Sequence, residues 1–161
     1  QHEKFEEMVW DVWNVSGSAQ WVTVPDVVCD HAATLELFNG WVAQWENEFG
    51  YVPVPLAFVL QNGCTIGDVP WEQIEAVFVG GDNEFKLGPE ARELCAEAKR
   101  RGKWVHVGRV NTLNRIRYAY RHLGADSVDG SGISLFAESC LERLLQEIGA
   151  EQSQPLLFEV A

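Results

Sequence analysis

The 161-residue sequence predicts an α/β fold with a parallel sheet, built from about five β/α units. Three short apolar runs each stop at residues with special chemistry: 77–79 before Gly80-Gly81, 104–107 before Gly108-Arg109, and 125–128 before Asp129-Gly130. Helix-like segments separate these runs, which is typical of a repeating strand–helix unit. Because active sites of such folds lie at the carboxyl ends of the strands, we expect the run ends to meet at one rim.

The remaining elements follow from apolar spacing and from residues that favour helix ends. Apolar residues between Leu35 and Trp45 recur at helical spacing, which predicts an amphipathic helix. Pro89 and Gly102 delimit one helix, and Asn111 as N-cap and Gly124 delimit the next. The predicted order is strand 21–28 running into a loop, helix 31–49, turn 51–55, strand 56–60, helical turn 70–74, strand 77–79, helix 89–101, strand 103–107, helix 111–123, strand 125–128, helix 135–148, and a terminal strand or arm over 152–161.

Length and composition indicate a single domain over residues 1–161. The apolar fraction of 47% is that of a globular protein, and no linker or low-complexity segment interrupts the chain. Five β/α units fit either a doubly wound sheet or five-eighths of a (β/α)8 barrel. A partial barrel leaves two sheet edges open, and open edges must be covered. We expect the cover to come from a longer native chain, from a second copy or a partner chain, or in part from residues 1–20 with Trp10 and Trp13.

The net charge of −12 is unevenly distributed. Ten of the twelve basic residues lie within 86–121 beside only three acidic residues, so this window is near +7 and the remainder near −19. An acidic protein is generally a poor non-specific binder of nucleic acid, but a local basic face can hold phosphates. The basic residues within 99–103 are expected to solubilise a helix end. Arg109, Arg115 and Arg117 are the candidates for phosphate binding.

Cysteine spacing and the N-terminal sequence bear on the cellular compartment. The four cysteines form no C-x-x-C pair, so we expect reduced, buried thiols and neither a metal site nor a cofactor. The first residues lack the basic and apolar regions of a signal peptide, and no apolar run approaches the ~18 residues of a membrane span. We therefore expect a cytoplasmic protein (in the host cytoplasm, if it is encoded by a phage) with no membrane partner.

Asp129 is the leading candidate for chemistry, because a carboxylate at a strand end can act as nucleophile, general base or metal ligand. Gly130 has no side chain and would let a substrate approach closely, although Asp-Gly is also a common turn pair. Asp126, in the same run, is predicted to face the same side of the strand as Asp129. Such a carboxylate pair is costly to bury, which favours a functional role.

Further candidates follow the earlier strands. Gly80 and Gly81 would offer backbone amides to a flat or anionic ligand, and the amide of Gln61 can pair with the edge of a heterocycle. Asp26 and Asp30 can accept hydrogen bonds from N–H groups, but Asp30 is equally suited to cap the helix that follows it.

We expect opposite roles for two aromatic side chains, one structural and one in binding. His106 lies inside a strand and is predicted to be a core histidine rather than a functional one. Trp71, after a proline in a loop, is the best candidate for stacking on a base.

Taken together, these segments resemble the tRNA-guanine transglycosylase superfamily, most closely the phage and bacterial branch that inserts 7-deazaguanines into DNA. The resemblance spans residues 21–132 approximately. Its motifs are specific in combination and weak singly. The segments that carry it are PDVV with the aspartate two positions on, FVLQNG, PW-x-x-I, FVGG-x-x-x-FKLG, HVGRVN, R-x-R-x-A and GADSVDG.

The resemblance implies a (β/α)8 barrel, of which this chain would form the last five units, and an exchange of guanine for a 7-deazaguanine base. It implies that Asp129 attacks the glycosidic C1′ and forms a covalent intermediate, and that Gly80-Gly81 contacts the base through its backbone. Gln61 would read the base. Asp26 or Asp30 would read the purine edge, with Asp26 favoured because it directly follows the strand.

The sequence departs from the family pattern in two ways. The N-terminal barrel strands, which in the tRNA enzymes carry an acid/base aspartate, and the cysteine-rich zinc site have no counterpart in these residues. We therefore expect DNA rather than tRNA as the substrate. Two alternatives remain: a catalytically inactive relative that binds a nucleobase, nucleic acid or partner, and a barrel enzyme that acts on a small phosphorylated metabolite through Gly80-Gly81 and Gly108-Arg109.

Overall fold

A computed structural model describes residues 2–15, 19–132 and 138–152. The elements are α1 (His2–Asn14), β1 (Val22–Thr23), α2 (His31–Phe49), β2 (Leu56–Leu60), β3 (Ala76–Val79), α3 (Asn83–Leu87), α4 (Pro89–Arg100), β4 (Trp104–Val107), α5 (Leu113–Leu123), β5 (Ser127–Val128) and α6 (Glu138–Gln152). Two 3-10 turns, Ile66–Asp68 and Trp71–Gln73, connect β2 to β3.

The strands form one sheet in the order β1-β2-β3-β4-β5, and every neighbouring pair is parallel. A doubly wound sheet reverses its winding at a switch point, and this order contains no reversal. Since β/α/β crossovers are right-handed, the connecting helices then lie on one face. The sheet curls into a half-barrel, which confirms the predicted α/β class and is compatible with part of a barrel.

The helix-facing side of the sheet forms the apolar core. Phe58 in β2 packs edge-on against Phe38 in α2 with ring centroids 5.2 Å apart, and both are buried. Ala91 and Ala98 in α4 have no exposed surface, so their small size lets this helix approach β3 and β4 closely. Truncating a buried aromatic such as Phe58 to alanine removes about 3–5 kcal/mol of stability.

The opposite, concave side of the sheet carries the polar side chains. Strand register aligns the residues of this face in two rows: Thr23, Ala57, Ala76 and Trp104, then Val59, Phe78, His106 and Ser127. Because side chains alternate along a strand, a third row two residues further on follows the strand ends. That row contains Gln61, Gly80, Gly108 and Asp129.

Several element ends differ from the prediction. Thr112, not Asn111, caps α5: its Oγ1 accepts from the amide of Arg115 at 3.2 Å. No sequence pattern indicated α3, which Asp82 caps. Both edge strands are only two residues long, against the predicted 21–28 and 125–128. Short edges limit unwanted pairing with other chains.

The N-terminal helix packs on the helical layer. Phe5 contacts Trp41 in α2 with centroids 4.8 Å apart, and Trp10 contacts Phe49 at 5.0 Å. Within the described residues, therefore, Trp10 covers α2 rather than a sheet edge. The side chain of Trp13 and the predicted segments 135–137 and 153–161 lie outside the described residues. Among the described helices, none is both long and apolar enough to span a membrane.

Candidate active site

Asp129 follows β5 on the concave face, and both of its carboxylate oxygens are held. Nε2 of His106 lies 2.9 Å from Oδ2, and the backbone amide of Arg109 donates to Oδ1 at 2.9 Å. The side chain nevertheless remains half exposed, at 50%. Each oxygen therefore keeps a lone pair for an incoming group while its position is fixed from behind.

A chain of hydrogen bonds behind Asp129 determines the tautomer of His106. Oγ of Ser127 lies 2.8 Å from both Nε1 of Trp104 and Nδ1 of His106. An indole can only donate and an ionised carboxylate can only accept, so Ser127 accepts from Trp104, Nε2 of His106 faces an acceptor, and the hydroxyl hydrogen of Ser127 is left for Nδ1. The neutral imidazole then carries its proton on Nε2 and donates it to Asp129, an assignment that follows from the network.

The surroundings keep the Asp129 carboxylate ionised. Partial burial raises its pKa, but the hydrogen bonds from His106 and the Arg109 amide outweigh burial and hold the pKa below its ordinary value. The nearby ammonium of Lys86 acts in the same direction. At neutral pH the site presents an oriented anion, which is the state required of a nucleophile or general base.

A cavity of about 160 Å³ lies beside Asp129 on the same rim. Its lining residues are Thr23, Asp26, Val28, Val59, Gln61, Phe78, Gly80, Gly81, Lys86 and Arg109. Asp129 itself borders this cavity through Arg109 rather than lining it. The cavity is smaller than the roughly 300–1,000 Å³ of typical ligand pockets, which favours a compact group such as one heterocyclic base. We name it the base pocket.

Gln61 organises the polar wall of the base pocket. It is buried, and its Oε1 accepts from the amides of Cys29 at 2.9 Å and Gly81 at 2.7 Å. Its Nε2 donates to Oδ2 of Asp26 at 2.6 Å. The amide oxygen is thus occupied, so Gln61 positions Asp26 and keeps at most one N–H for a ligand. Asp26 is exposed, and among the described residues nothing is bonded to its Oδ1, which can accept from a ligand.

The diglycine does not offer free amides, contrary to the prediction. The amide of Gly80 donates to the carbonyl of Leu60 at 3.0 Å, and that of Gly81 is bound by Gln61. A Cβ at Gly80 would lie 2.8 Å from the side chain of Val59, and Gly81 adopts a φ of 71°. Both glycines line the base pocket, so they contribute space rather than hydrogen bonds.

Two of the predicted carboxylates lie elsewhere. Asp30 caps α2 through its Oδ1, which accepts from the amide of Ala33 at 3.0 Å, and it does not line the base pocket. Asp126 does not face the side of Asp129. The two are three positions apart, so alternation places them on opposite faces, and Asp126 pairs with Lys99 at 2.6 Å. The prediction of a same-face carboxylate pair is therefore wrong.

Three other residues that were predicted to contact a ligand instead make contacts within the fold. Nε of Arg117 lies 3.0 Å from Glu147, which removes Arg117 from the candidates for phosphate binding. Trp71 is buried, and its Nε1 donates to the carbonyl of Ile66 at 2.9 Å in the turns that precede β3, at the end of the sheet opposite the site. A Cβ on Gly130 would collide with the carbonyl oxygen of Val110, so this glycine serves chain packing.

Sequence reasoning missed two side chains of this candidate site, His106 and Lys86. A signal existed for His106: it is the polar residue of an apolar strand, and it lies two positions before the strand-end Gly108 and therefore on the same face. Lys86 follows the diglycine closely enough to stay at the rim, but α3, which positions it, carried no recognisable pattern. Lys86 donates to the carbonyl of Gly108 at 2.9 Å.

Neither a model of a known protein family nor any curated protein matches the chain.

Proposed function

We propose that this chain is the catalytic half-barrel of a base-exchange glycosyltransferase that replaces guanine in DNA with a 7-deazaguanine. The observation that carries the proposal is the ionised Asp129 carboxylate, held by His106 and the Arg109 amide beside the base pocket. In this reading the five β/α units are the last five of a (β/α)8 barrel, in agreement with the uninterrupted parallel strand order.

The pocket chemistry suits a purine. Phe78 and Val59 provide an apolar surface for a flat ring, and Asp26 provides a carboxylate that can accept from the N–H groups along the edge of guanine. Nε2 of Gln61 donates to that carboxylate at 2.6 Å, so the orientation of the Asp26 side chain is fixed before a base binds. A ring edge that carries only acceptors or a negative charge would instead be repelled by the carboxylate of Asp26.

The proposed reaction has two displacements at C1′. An oxygen of Asp129 forms a bond to C1′ as the glycosidic C1′–N9 bond breaks, and the leaving guanine takes the electron pair and a proton. The incoming base then loses its N9 proton and bonds to C1′, which expels the Asp129 carboxylate. By resemblance, an acid/base aspartate on earlier barrel strands assists these proton transfers in the tRNA enzymes; in this chain water donates and accepts the protons instead. Reaching C1′ requires a single-stranded or flipped-out nucleotide.

Exchange of radiolabelled guanine into a single-stranded DNA oligonucleotide tests the proposal, and the assay works whichever deazaguanine is the natural substrate. We expect wild-type protein to incorporate label and to form a protein–DNA adduct visible by denaturing mass spectrometry. Asp129→Asn abolishes both. Asp126→Asn is the matched control, because it removes the same charge from the opposite face of the strand and keeps exchange. Exchange retained in Asp129→Asn would overturn the assignment of the nucleophile, and no exchange by wild type would favour the binding-only alternative.

A further inference from the structure

Three cationic side chains gather at the rim next to the base pocket. Lys86 comes from α3, Arg109 directly follows β4, and Arg115 comes from the first turn of α5. Lys86 and Arg109 line the base pocket and also a second, smaller cavity, which Arg115 lines as well. The two cavities therefore share a cationic wall, which we name the basic rim (Lys86, Arg109 and Arg115).

The side chains of the basic rim make no ion pair within the described residues, whereas several other basic side chains do. Lys99 pairs with Asp126, both Arg100 and Arg101 pair with Glu97, and Arg117 pairs with Glu147. Within the described parts of the chain, the guanidinium groups of Arg109 and Arg115 make no ion pair or hydrogen bond. The guanidinium groups of Arg109 and Arg115 therefore keep their N–H donors for an anion.

The three cations are close enough to influence one another. Burial lowers the pKa of Lys86, and the positive charges of Arg109 and Arg115 lower it further. The carboxylate of Asp129 opposes this effect but is already engaged by His106 and the Arg109 amide. Three like charges with only one nearby carboxylate, itself already engaged, destabilise the empty site, and a bound anion relieves that repulsion.

The backbone at the centre of the basic rim is also unusual. Arg109 has a φ of 59°, in the left-handed region that non-glycine residues rarely occupy. Such a conformation is strained and persists where the surroundings impose it, often at ligand sites. Here it lets one residue hold Asp129 through its amide while its side chain lines both cavities.

We propose that Lys86, Arg109 and Arg115 form a phosphate subsite that holds the phosphate of the nucleotide whose base enters the base pocket. The identity of the base rests on the proposed function, but the subsite does not. Arginine and lysine groups are the usual protein ligands of phosphate oxygens. The phosphate is either a phosphodiester of a DNA strand or the phosphomonoester of a free nucleotide, and the chemistry of recognition is the same.

Binding measurements on the full chain test the subsite. The probes are a fluorescent single-stranded oligonucleotide that contains guanine, followed by anisotropy, and guanosine 5′-monophosphate, followed by calorimetry. We expect Arg115→Gln to weaken binding of the preferred probe about tenfold and to lower the salt dependence of DNA binding by about one charge. Lys103→Gln is the matched control. It makes the same change in net charge just before β4, at the other end of the strands, and binding stays as in wild type.

The possible results separate this subsite from the proposed function. Oligonucleotide binding that depends on Arg115, with no guanine exchange, would keep the subsite and overturn the function. Binding of the monophosphate alone would identify a free nucleotide as the source of the phosphate. The subsite is overturned if neither probe binds, or if Arg115→Gln and Lys103→Gln have equal effects. Unchanged melting temperatures of both variants confirm that each is folded.

Discussion

His106 donates from Nε2 to Oδ2 of Asp129 across 2.9 Å, and a serine and a tryptophan behind it fix which nitrogen carries the proton. A histidine in this arrangement orients the carboxylate and favours its ionised form. It would also stabilise Asp129 as the group expelled from C1′ in the second displacement. His106 is thus a positioning residue in the proposed reaction.

Replacing His106 by phenylalanine should slow base exchange about a hundredfold, within the range for loss of one positioned proton-bearing group. The pKa of Asp129 is held below its ordinary value partly by this hydrogen bond, so its loss raises that pKa. The acidic limb of the kcat/KM profile, which requires ionised Asp129, then moves to higher pH. His106→Gln keeps an N–H donor in reach and should recover part of both effects. An unmoved acidic limb in His106→Phe would show that the contact does not tune Asp129.

Gln61 provides a prediction about stability that is independent of catalysis. Gln61→Leu leaves the partly buried amides of Cys29 and Gly81 without their acceptor, which we expect to cost about 1–3 kcal/mol. Gln61→Glu keeps the acceptor but places a carboxylate oxygen against Asp26, where the wild-type contact is 2.6 Å. One of the two carboxyl pKa values must then rise.

The two Gln61 variants differ in their dependence on pH. In Gln61→Glu the raised pKa means that stability is lost as pH rises through it and recovered as pH falls, whereas the deficit of Gln61→Leu stays nearly constant. Urea unfolding at pH 5 and pH 8 measures both. Equal deficits of Gln61→Glu at the two pH values would contradict the Asp26–Gln61 contact.

The sequence predicts the fold better than it predicts the site. Apolar runs ending at glycine, arginine or aspartate locate the strand ends, because burial on both faces of a parallel sheet requires continuous apolar strands. The positions of the strand ends are enough to predict Asp26 and Asp129 as site residues. The sequence pattern does not show which hydrogen-bond donors already have partners. The amides of Gly80 and Gly81 donate to groups within the fold, and only the tertiary structure reveals those contacts.

Cysteine reactivity tests the burial pattern directly. The sequence predicts four buried thiols, but Cys29 and Cys140 are exposed, and only Cys64 and Cys95 are buried. Burial raises the pKa of each buried thiol to about 12, so neither forms thiolate near neutral pH. A thiol reagent at pH 8 should modify two cysteines rapidly and the other two only on unfolding. Rapid modification of Cys95 in native protein, located by peptide mass spectrometry, would contradict the packing of α4.

Gly130 should tolerate no side chain, for reasons of packing next to the candidate nucleophile. A Cβ there would collide with the carbonyl oxygen of Val110, whose own amide donates to the carbonyl of Asp129 at 2.6 Å. Gly130→Ala therefore forces two backbone segments apart and should destabilise the protein by about 2 kcal/mol or more, with loss of exchange activity.

Gly40→Ala is the matched control: it lies within α2 with nothing within 4 Å of the added Cβ. Removing a helical glycine there should stabilise the protein by about 0.5–1 kcal/mol, and thermal unfolding of the two variants compares them. If both variants unfold at the wild-type temperature, the close approach of Gly130 to Val110 is wrong.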